Sequence, residues 1–184
     1  MLLRFTQMAA CAALLAACAP QSQKTAFTPK PTYTAPEFSE SEVEWFTKAG
    51  TGSIKGQAFF MTKGGTPRTC AGNEVTLVPQ SAYASGIEFA QKQWKTYSIK
   101  GVSHPPVYYK YRKTAICNVS GAFEFKNLPA GNYIVETVVL WSIPGDIVPQ
   151  GGALIEDVAV SSGESKDVVM SGKGDLIFIL SNPY

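Results

Sequence analysis

The sequence predicts an all-β protein, a sandwich of about seven short strands with a short helical insertion between strands. Two observations favour this class. Apolar residues alternate with a period of two along most of residues 51–180. Turn-forming Gly, Pro, Asn and Ser residues separate these runs at short intervals. The periodicity favours a sandwich but leaves a barrel open.

Most of the strands are indicated by alternating runs that turn signals bound on both sides. In "VYYKYRKTAICNV" (107–119), the alternation predicts a strand with Tyr109, Tyr111, Ala115 and Cys117 on one face. The other predicted strands are "GSIKGQAFFM" (52–61), "NEVTLVPQ" (73–80), "NYIVETVVLW" (132–141), "ALIEDVAV" (153–160), "SKDVVM" (165–170) and "GDLIFIL" (174–180).

One segment breaks the strand pattern. In "SAYASGIEFAQKQWKTY" (81–97), the aromatic and apolar residues Tyr83, Ile87, Ala90 and Trp94 are spaced by four, three and four positions. This spacing predicts a helix, with Ser81 or Ser85 as its N-cap. The helix is expected to lie as an insertion between two strands.

Composition is that of one domain with a substantial core. The chain has 184 residues, of which 45% are hydrophobic and 16% are charged. The net charge of +2 comes from 16 basic and 14 acidic residues without a Lys/Arg block. We therefore expect no nucleic-acid partner.

The N-terminus has the features of a secretory signal. Arg4 precedes an apolar run from Met8 to Ala17 that is too short to cross a bilayer comfortably. The box Leu15-Ala16-Ala17-Cys18 resembles that of bacterial lipoproteins, which implies removal of residues 1–17 and acylation of Cys18. Acyl chains would anchor the protein to the membrane without a transmembrane helix. The alternative is an ordinary cleaved signal that ends near a cysteine.

Residues 18–50 are predicted to be the acylated cysteine and a flexible tether rich in Pro, Ser and Thr. Within them, "SESEVEWF" (39–46) could begin a short helix or lie as a strap against the domain, which spans residues 51–184. Residue 19 is Ala rather than Asp. By analogy with lipoprotein sorting, this implies an outer-membrane lipoprotein facing the periplasm in a Gram-negative cell envelope.

Two cysteines remain after the signal and the lipid site, Cys70 and Cys117. An oxidising compartment makes a disulfide the expected state of such a pair, worth about 4 kcal/mol in the chain-entropy account. Two buried free thiols are the alternative. With only one histidine in the chain, a structural zinc site is not expected.

The stretch "GAFEFKNLPAGNY" (121–133) predicts a hairpin, because Phe123 and Phe125 point to one face and Pro129-Ala130-Gly131 reverses the chain. Together with "SIKGQAFF", it resembles the carboxypeptidase regulatory-like domain. That resemblance implies a seven-stranded transthyretin-like (prealbumin-like) β-sandwich in a secreted or surface-attached protein. The catalytic zinc of the family's namesake lies in a separate domain, so the resemblance implies no catalytic site here.

Aromatic residues provide the candidate binding surface, which consists of Tyr83, Trp94, Tyr97 and Tyr108 in or beside the insertion. Rings on loops suit sugar or protein faces, because they offer large contact area at little entropic cost. The alternative is that Tyr83 and Trp94 only pin the helix to the sandwich. His104, beside two prolines, is expected to be an exposed loop residue.

The function predicted from these features is a non-catalytic, membrane-anchored periplasmic lipoprotein that binds a protein or an envelope component, without a cofactor or metal. One alternative is a carbohydrate-binding module that uses the aromatic insertion. Another is an envelope or secretion-assembly accessory lipoprotein, because the type VI secretion lipoprotein also combines an acylated cysteine with a transthyretin-like sandwich. An enzyme is the third class, and a clustered polar cleft around His104 would favour it.

Overall fold

The computed structural model describes residues 29–93, 104–145, 147 and 149–173. Over these ranges the protein is an all-β sandwich of two sheets with one α-helix, which confirms the predicted fold class. The strands are β1 (Gly52–Met61), β2 (Pro67–Thr69), β3 (Glu74–Pro79), β4 (Lys113–Ile116), β5 (Ala122–Leu128), β6 (Gly131–Trp141), β7 (Gln150–Val160) and β8 (Ser165–Lys173). Helix α1 spans Ala82–Lys92.

The first sheet is organised around β1. Its first half pairs antiparallel with β5 and its last residues pair antiparallel with β2, while β8 runs parallel along its other side. The second sheet is wholly antiparallel in the order β4-β3-β6-β7. The described ranges thus hold eight strands rather than about seven, because the loop that carries Cys70 contains the short β2. The predicted strand 174–180 lies outside the described residues.

The core lies between the two sheets and is built by alternation. On β1, Ile54, Ala58 and Phe60 are fully buried, as the period-two pattern predicts. On β3, Val75 and Leu77 point into the same interior. The disulfide Cys70–Cys117 borders this core and links the loop before β3 to the loop after β4, which confirms the predicted pairing.

The hairpin stretch is architectural. Leu128 and Tyr133 are both fully buried, and the Tyr133 hydroxyl donates a hydrogen bond to the carbonyl oxygen of Pro129 across the turn between β5 and β6. Burial raises the pKa of Tyr133 to about 12. Gly131 is required because a Cβ there would stand 2.3 Å from the indole of Trp45. The turn is therefore held by the hydrogen bond of Tyr133 and packed against the indole of Trp45.

The packed body begins before residue 51, which corrects the predicted domain boundary. Residues 38–50, here called the strap, contribute Val43 and Phe46 to the main core at 0% and 3% exposure. Two short 3-10 helices, Glu40–Glu42 and Glu44–Thr47, aim these side chains inward. Burial of these apolar side chains in the sandwich is favourable in free energy, whereas a flexible tether would leave them exposed to water. Both alternatives for residues 39–46 hold in part, because two short 3-10 helices lie as a strap against the domain.

The predicted strand over residues 107–119 is the second correction. Residues Pro106–Tyr111 form a 3-10 helix, and only Lys113–Ile116 form a strand. Pro105 and Pro106 explain the difference, since the fixed φ of proline suits the first positions of a helical turn and proline cannot donate to a sheet ladder. Tyr111 is buried while Tyr109 is 43% exposed, so these two side chains do not share one face.

Helix α1 confirms the helical insertion, and Ser81 is its N-cap, accepting a hydrogen bond from the Ala84 amide at 3.1 Å. Gly86 lets the chain upstream of the strap approach, because a Cβ there would lie 2.7 Å from Cδ of Pro36. None of the helices in the described ranges is long and apolar enough to cross a membrane.

Candidate functional site: a cavity on the outer face of the second sheet

A cavity of about 310 Å³ opens on the outer face of the β4-β3-β6-β7 sheet. We call it the outer-face cavity. Its volume is at the lower end of the range of about 300–1,000 Å³ in which small-molecule sites usually fall. It is lined by Asn73, Glu74, Thr76, His104, Tyr108, Tyr109, Arg112, Glu136, Thr137 and Val138.

Strand alternation creates the floor of this cavity. On β3, Thr76 lies between the buried core residues Val75 and Leu77, so its side chain points away from the core. On β6, Glu136 faces outward for the same reason, and it is the Cα partner of Thr76 across the strand pair. The residues that cannot face the core therefore meet on the opposite side of the sheet.

Aromatic rings form one wall. The 3-10 helix Pro106–Tyr111 carries Tyr108 and Tyr109, whose ring centroids are 5.9 Å apart at 78°. The imidazole of His104 stacks on Tyr108 at 4.4 Å and 13°. Tyr109 meets that imidazole edge-on at 6.0 Å. Because Tyr109 is 43% exposed, it presents aromatic surface to a ligand.

His104 is half-buried, which corrects the expectation of an exposed loop residue. Its Nδ1 and the Tyr83 hydroxyl are hydrogen-bonded at 2.7 Å, and its other ring contacts are with tyrosines. Burial, helped by the positive charge of Arg112, lowers the pKa of His104. Burial also raises the pKa of Tyr108 and of Tyr83. The wall is therefore uncharged at neutral pH.

Arg112 and Glu74 form an ion pair at the rim, with Nη2 of Arg112 3.4 Å from Oε1 of Glu74. The guanidinium also lies 5.6 Å from the centroid of Tyr109, within cation–π range. Within the described ranges, Oε1 of Glu74 is buried yet accepts no hydrogen bond.

Glu136 is the acidic group of the floor. Its Oε1 accepts a hydrogen bond from Nε2 of Gln91 on α1 at 3.1 Å. Burial, added to by the charge of Glu88, raises the pKa of Glu136 to about 6 against the weaker opposing effect of the Gln91 hydrogen bond. At neutral pH Glu136 is therefore mostly ionised in a poorly solvated position.

The remaining charges near α1 are paired among themselves. Lys92 forms an ion pair with Glu88 one turn earlier, and its Nζ lies 3.8 Å from Oδ2 of Asp157 on β7. Burial alone would lower the pKa of Lys92, but the hydrogen bond and charge of Glu88, with Asp157, raise it overall. Lys92 thus pairs with Glu88 and Asp157 and is not among the described residues that line the cavity.

The strap supports the aromatic wall from behind. Phe38 makes edge-on contacts with Tyr83 and Tyr108, each at 5.6 Å between ring centroids. The Tyr111 hydroxyl donates to Oε2 of Glu40 at 2.9 Å, and this hydrogen bond is the main reason that the pKa of Tyr111 is raised. The strap therefore helps to fix the orientation of Tyr108 and, through it, of His104.

The structure brings two of the four predicted surface aromatics to this region. Tyr108 lines the cavity, whereas Tyr83 is 6% exposed and holds His104 from beneath. Trp94, Tyr97 and the lipid site Cys18 lie outside the described residues. Cys70 and Cys117 form the disulfide, away from the cavity lining.

Sequence reasoning did not select Arg112, Glu136, Glu74 or Thr76 as site residues, and it placed Tyr109 on one strand face with Tyr111, Ala115 and Cys117. The usable signal was the polar interruption of two apolar strands, Thr76 within "VTLV" and Glu136 within "IVETVV". A carboxylate in the middle of a central strand requires a partner or a function. Among the described residues, no three His, Cys, Asp or Glu side chains are grouped as metal ligands.

No family model matches the chain. No curated protein matches it either. Among solved structures, a candidate carbohydrate-binding protein from Pseudomonas aeruginosa superposes with a TM-score of 0.65 at 21% identity, covering 76% of this chain and all of its own. This likeness shows a shared β-sandwich fold. The minor pilin of Streptococcus agalactiae aligns over 73% of this chain and 49% of its own at 14% identity, with a TM-score of 0.37 that is too low to support an argument.

Proposed function

We propose that the protein is a non-catalytic binding module that takes a carbohydrate in the outer-face cavity. The observation that carries the proposal is the joint presence of an exposed tyrosine face and of charged groups within one cavity of about 310 Å³. Pyranose rings have an apolar C–H face that packs on aromatic rings and hydroxyl groups that both donate and accept hydrogen bonds. Tyr109 suits the first feature, and Glu74, Glu136 and Arg112 suit the second.

The electrostatics of Glu136 support a binding role. Keeping an ionised carboxylate in a poorly solvated place costs stability, and the raised pKa of about 6 expresses that cost. Groups with perturbed pKa values that line a cavity are candidates for ligand contact. A sugar hydroxyl that donates to Glu136 would supply the hydrogen bond that water supplies elsewhere.

Binding is favoured over hydrolysis because of how His104 is held. A polar cleft beside this histidine is the arrangement that would favour an enzyme. Its Nδ1, however, is hydrogen-bonded to the phenol of Tyr83, whose pKa is raised, and its ring is stacked on Tyr108. A tyrosine hydroxyl with a raised pKa is a poor nucleophile. We therefore expect bound glycans to be recovered unchanged.

The test is a titration of glycans with the wild-type protein and with Tyr109→Ala. Because the exposed ring supplies most of the stacking surface, we expect Tyr109→Ala to weaken binding about tenfold, which corresponds to 1.4 kcal/mol. Phe89→Ala is the matched control, since Phe89 is exposed to a similar extent, 46%, and lies outside the cavity lining. Equal affinities for wild type and Tyr109→Ala would remove the cavity from the proposal.

The Pseudomonas aeruginosa neighbour supports the same ligand class only as a candidate carbohydrate-binding protein in its own right, because a likeness at 21% identity shows the fold alone. We further propose that the sandwich is of the carboxypeptidase regulatory-like, transthyretin-like type. The support is the motif of residues 121–133, in which the Leu-Pro-x-Gly-x-Tyr run closes the turn between β5 and β6 through the Tyr133–Pro129 hydrogen bond.

We also propose that the protein is anchored by acylation of Cys18 in the outer membrane and faces the periplasm. The Leu15-Ala16-Ala17-Cys18 box supports this proposal. The test is mass spectrometry and membrane fractionation of Cys18→Ser, which should lose the acyl chains and leave the membrane fraction. Cys11→Ser, within the same signal, is the matched control and should stay acylated. Retention of Cys18→Ser in membranes would contradict the anchor.

A further inference from the structure

Within the ranges that the structure describes, Glu136 differs from Glu74, Glu88 and Asp157 in having no ion pair with a cation. Among the described residues, its hydrogen-bond partner is the neutral amide of Gln91. The charged group that acts on it most is another acid, Glu88, and both this charge and burial raise the pKa of Glu136. A carboxylate that is largely withdrawn from water normally acquires a counter-charge.

The nearby cations are already engaged. Arg112 is paired with Glu74 at the rim and lies against the ring of Tyr109. Lys92 is paired with Glu88 and directed at Asp157. His104 is kept neutral above its lowered pKa by burial and by the charge of Arg112. With these pairs balanced, the described lining of the cavity carries one uncompensated negative charge at neutral pH, that of Glu136.

The surroundings of this charge suit an ammonium group. Tyr108 and Glu136 both line the cavity, and, after burial, the charge of Glu136 is one of the effects that raise the pKa of Tyr108. Tyr109 lies edge-on beside Tyr108. Carboxylates attract an ammonium by charge-assisted hydrogen bonds, and tyrosine faces attract it through their quadrupoles. The same combination disfavours an anionic ligand, because an acid group would lie beside Glu136 while the cations of the described lining are already paired.

We propose that the ligand of the outer-face cavity is an amino sugar with a free amine, whose ammonium group pairs with Glu136 beside the tyrosine wall. This inference rests on the proposed carbohydrate function and makes it narrower. An N-acetylated sugar has the same ring but no charge, so it would leave Glu136 unpaired. The cavity should therefore distinguish the two forms of one sugar.

The test is a calorimetric titration of the full chain in detergent at neutral pH with two probes, a glucosamine tetramer and its fully N-acetylated counterpart. We expect the wild-type protein to bind the free-amine tetramer about tenfold more tightly than the acetylated one. Glu136→Gln should bring the two affinities together, because it keeps the shape and the Gln91 hydrogen bond while removing the charge. Glucosamine monomer, titrated in parallel, tests whether one ring is sufficient.

The matched control is Glu124→Gln, since Glu124 pairs with Lys126 on β5 of the other sheet. It should keep the preference of the wild type. Thermal denaturation of each variant verifies that it is folded. Equal binding of the two tetramers by the wild type, or a preference that survives Glu136→Gln, would overturn the inference and leave the carbohydrate proposal standing. Binding of neither tetramer would overturn the inference, and the glycan titration with Tyr109→Ala would then decide the carbohydrate proposal.

Discussion

The two faces of the β4-β3-β6-β7 sheet are built from the same strands and do different work. On the inner face, Val75, Leu77 and Val135 are fully buried against the other sheet. On the outer face, Thr76 and Glu136 alternate with them and line a cavity. One face supplies the hydrophobic free energy that holds the fold, and the other supplies polar chemistry at the expense of some of that energy.

The covers of the two faces differ in the same way. The inner face is covered by a sheet whose register is fixed by long ladders of hydrogen bonds. The outer face is covered by α1 and the 3-10 helix Pro106–Tyr111, and its apolar cluster is small, with Val78, Ala84 and Ile134 buried at its centre. A lightly packed cover leaves room for a cavity, whereas a sheet-on-sheet core does not.

The sharpest test of this contrast is to truncate one side chain on each face of β3. Leu77→Ala should lower the free energy of unfolding by about 2–5 kcal/mol, because it removes a fully buried side chain and leaves a void. Thr76→Ala, on the outer face of the same strand, should lower the free energy of unfolding by less than about 1 kcal/mol. Chemical denaturation measures both. Similar losses at the two positions would mean that the outer face is packed as a second core.

The next largest effect is expected where the strap joins the two faces. Phe38 packs against the main core and also against Tyr83 and Tyr108 on the outer face. Because it is only partly buried, Phe38→Ala should cost about 1–3 kcal/mol, less than the loss of a fully buried phenylalanine.

The proton NMR signal of His104 reports the local consequence of Phe38→Ala, since it is the single histidine of the chain. Its shift should move as Tyr108 loses support. Glu37→Ala, an exposed neighbour, is the control and should change neither quantity. An unchanged histidine signal in Phe38→Ala would show that the strap does not position the aromatic wall.

Removal of the Glu136 charge is expected to stabilise the fold, in contrast to the truncations above. Its pKa is about 6 in the folded protein, above its ordinary value of 4.5, so protonation stabilises the fold. That contribution is fully present below pH about 4.5 and is lost as pH rises through about 6. A shift of this size corresponds to about 2 kcal/mol if fully realised, and we expect about 1–2 kcal/mol because Glu136 is partly solvated.

Glu136→Gln should therefore stabilise the protein above pH 7 and leave it nearly unchanged below pH 4.5. Denaturation curves at a series of pH values provide the measurement. Gln91→Ala is the useful companion variant. It removes the hydrogen bond that favours the ionised form and should lower stability at neutral pH more than at low pH. A pH profile that is the same in wild type and Glu136→Gln would show that this carboxylate is well solvated.

The inner face could be predicted from sequence and the outer face could not, for a physical reason. Alternation identifies residues such as Ile54 and Phe60 because core packing acts on every second position of a strand. The same rule only labels Thr76 and Glu136 as facing away from the core. Which segment covers them depends on contacts between residues far apart in sequence, such as Gln91 with Glu136.

The 3-10 helix shows the same limit. The pattern of residues 107–119 predicts a strand, yet Pro105 and Pro106 turn the chain and place Tyr108 over the sheet. The two prolines could be recognised in the sequence as a turn signal, but the position of that turn relative to β6 could not be predicted from them. Sequence likewise left two alternatives open for residues 39–46, because Val43 and Phe46 stand in a polar context without a clear period.

The smallest expected effect concerns the N-terminus of α1, where the outer-face cover is attached. Two acceptors satisfy its amides: Ser81 Oγ accepts from Ala84, and Oε2 of Glu42 in the strap accepts from Ala82 at 2.8 Å. Ser81→Ala should cost about 1 kcal/mol, because one cap is lost while the other remains. Ser85→Ala, in the helix interior, is the control and should be neutral or slightly stabilising, since alanine is the best helix former.

A double-mutant cycle tests whether Glu42 shares the capping role. If it does, Ser81→Ala combined with Glu42→Ala should lower the free energy of unfolding by more than the sum of the two single variants. Simple additivity in denaturation would show that the strap and the helix are held independently.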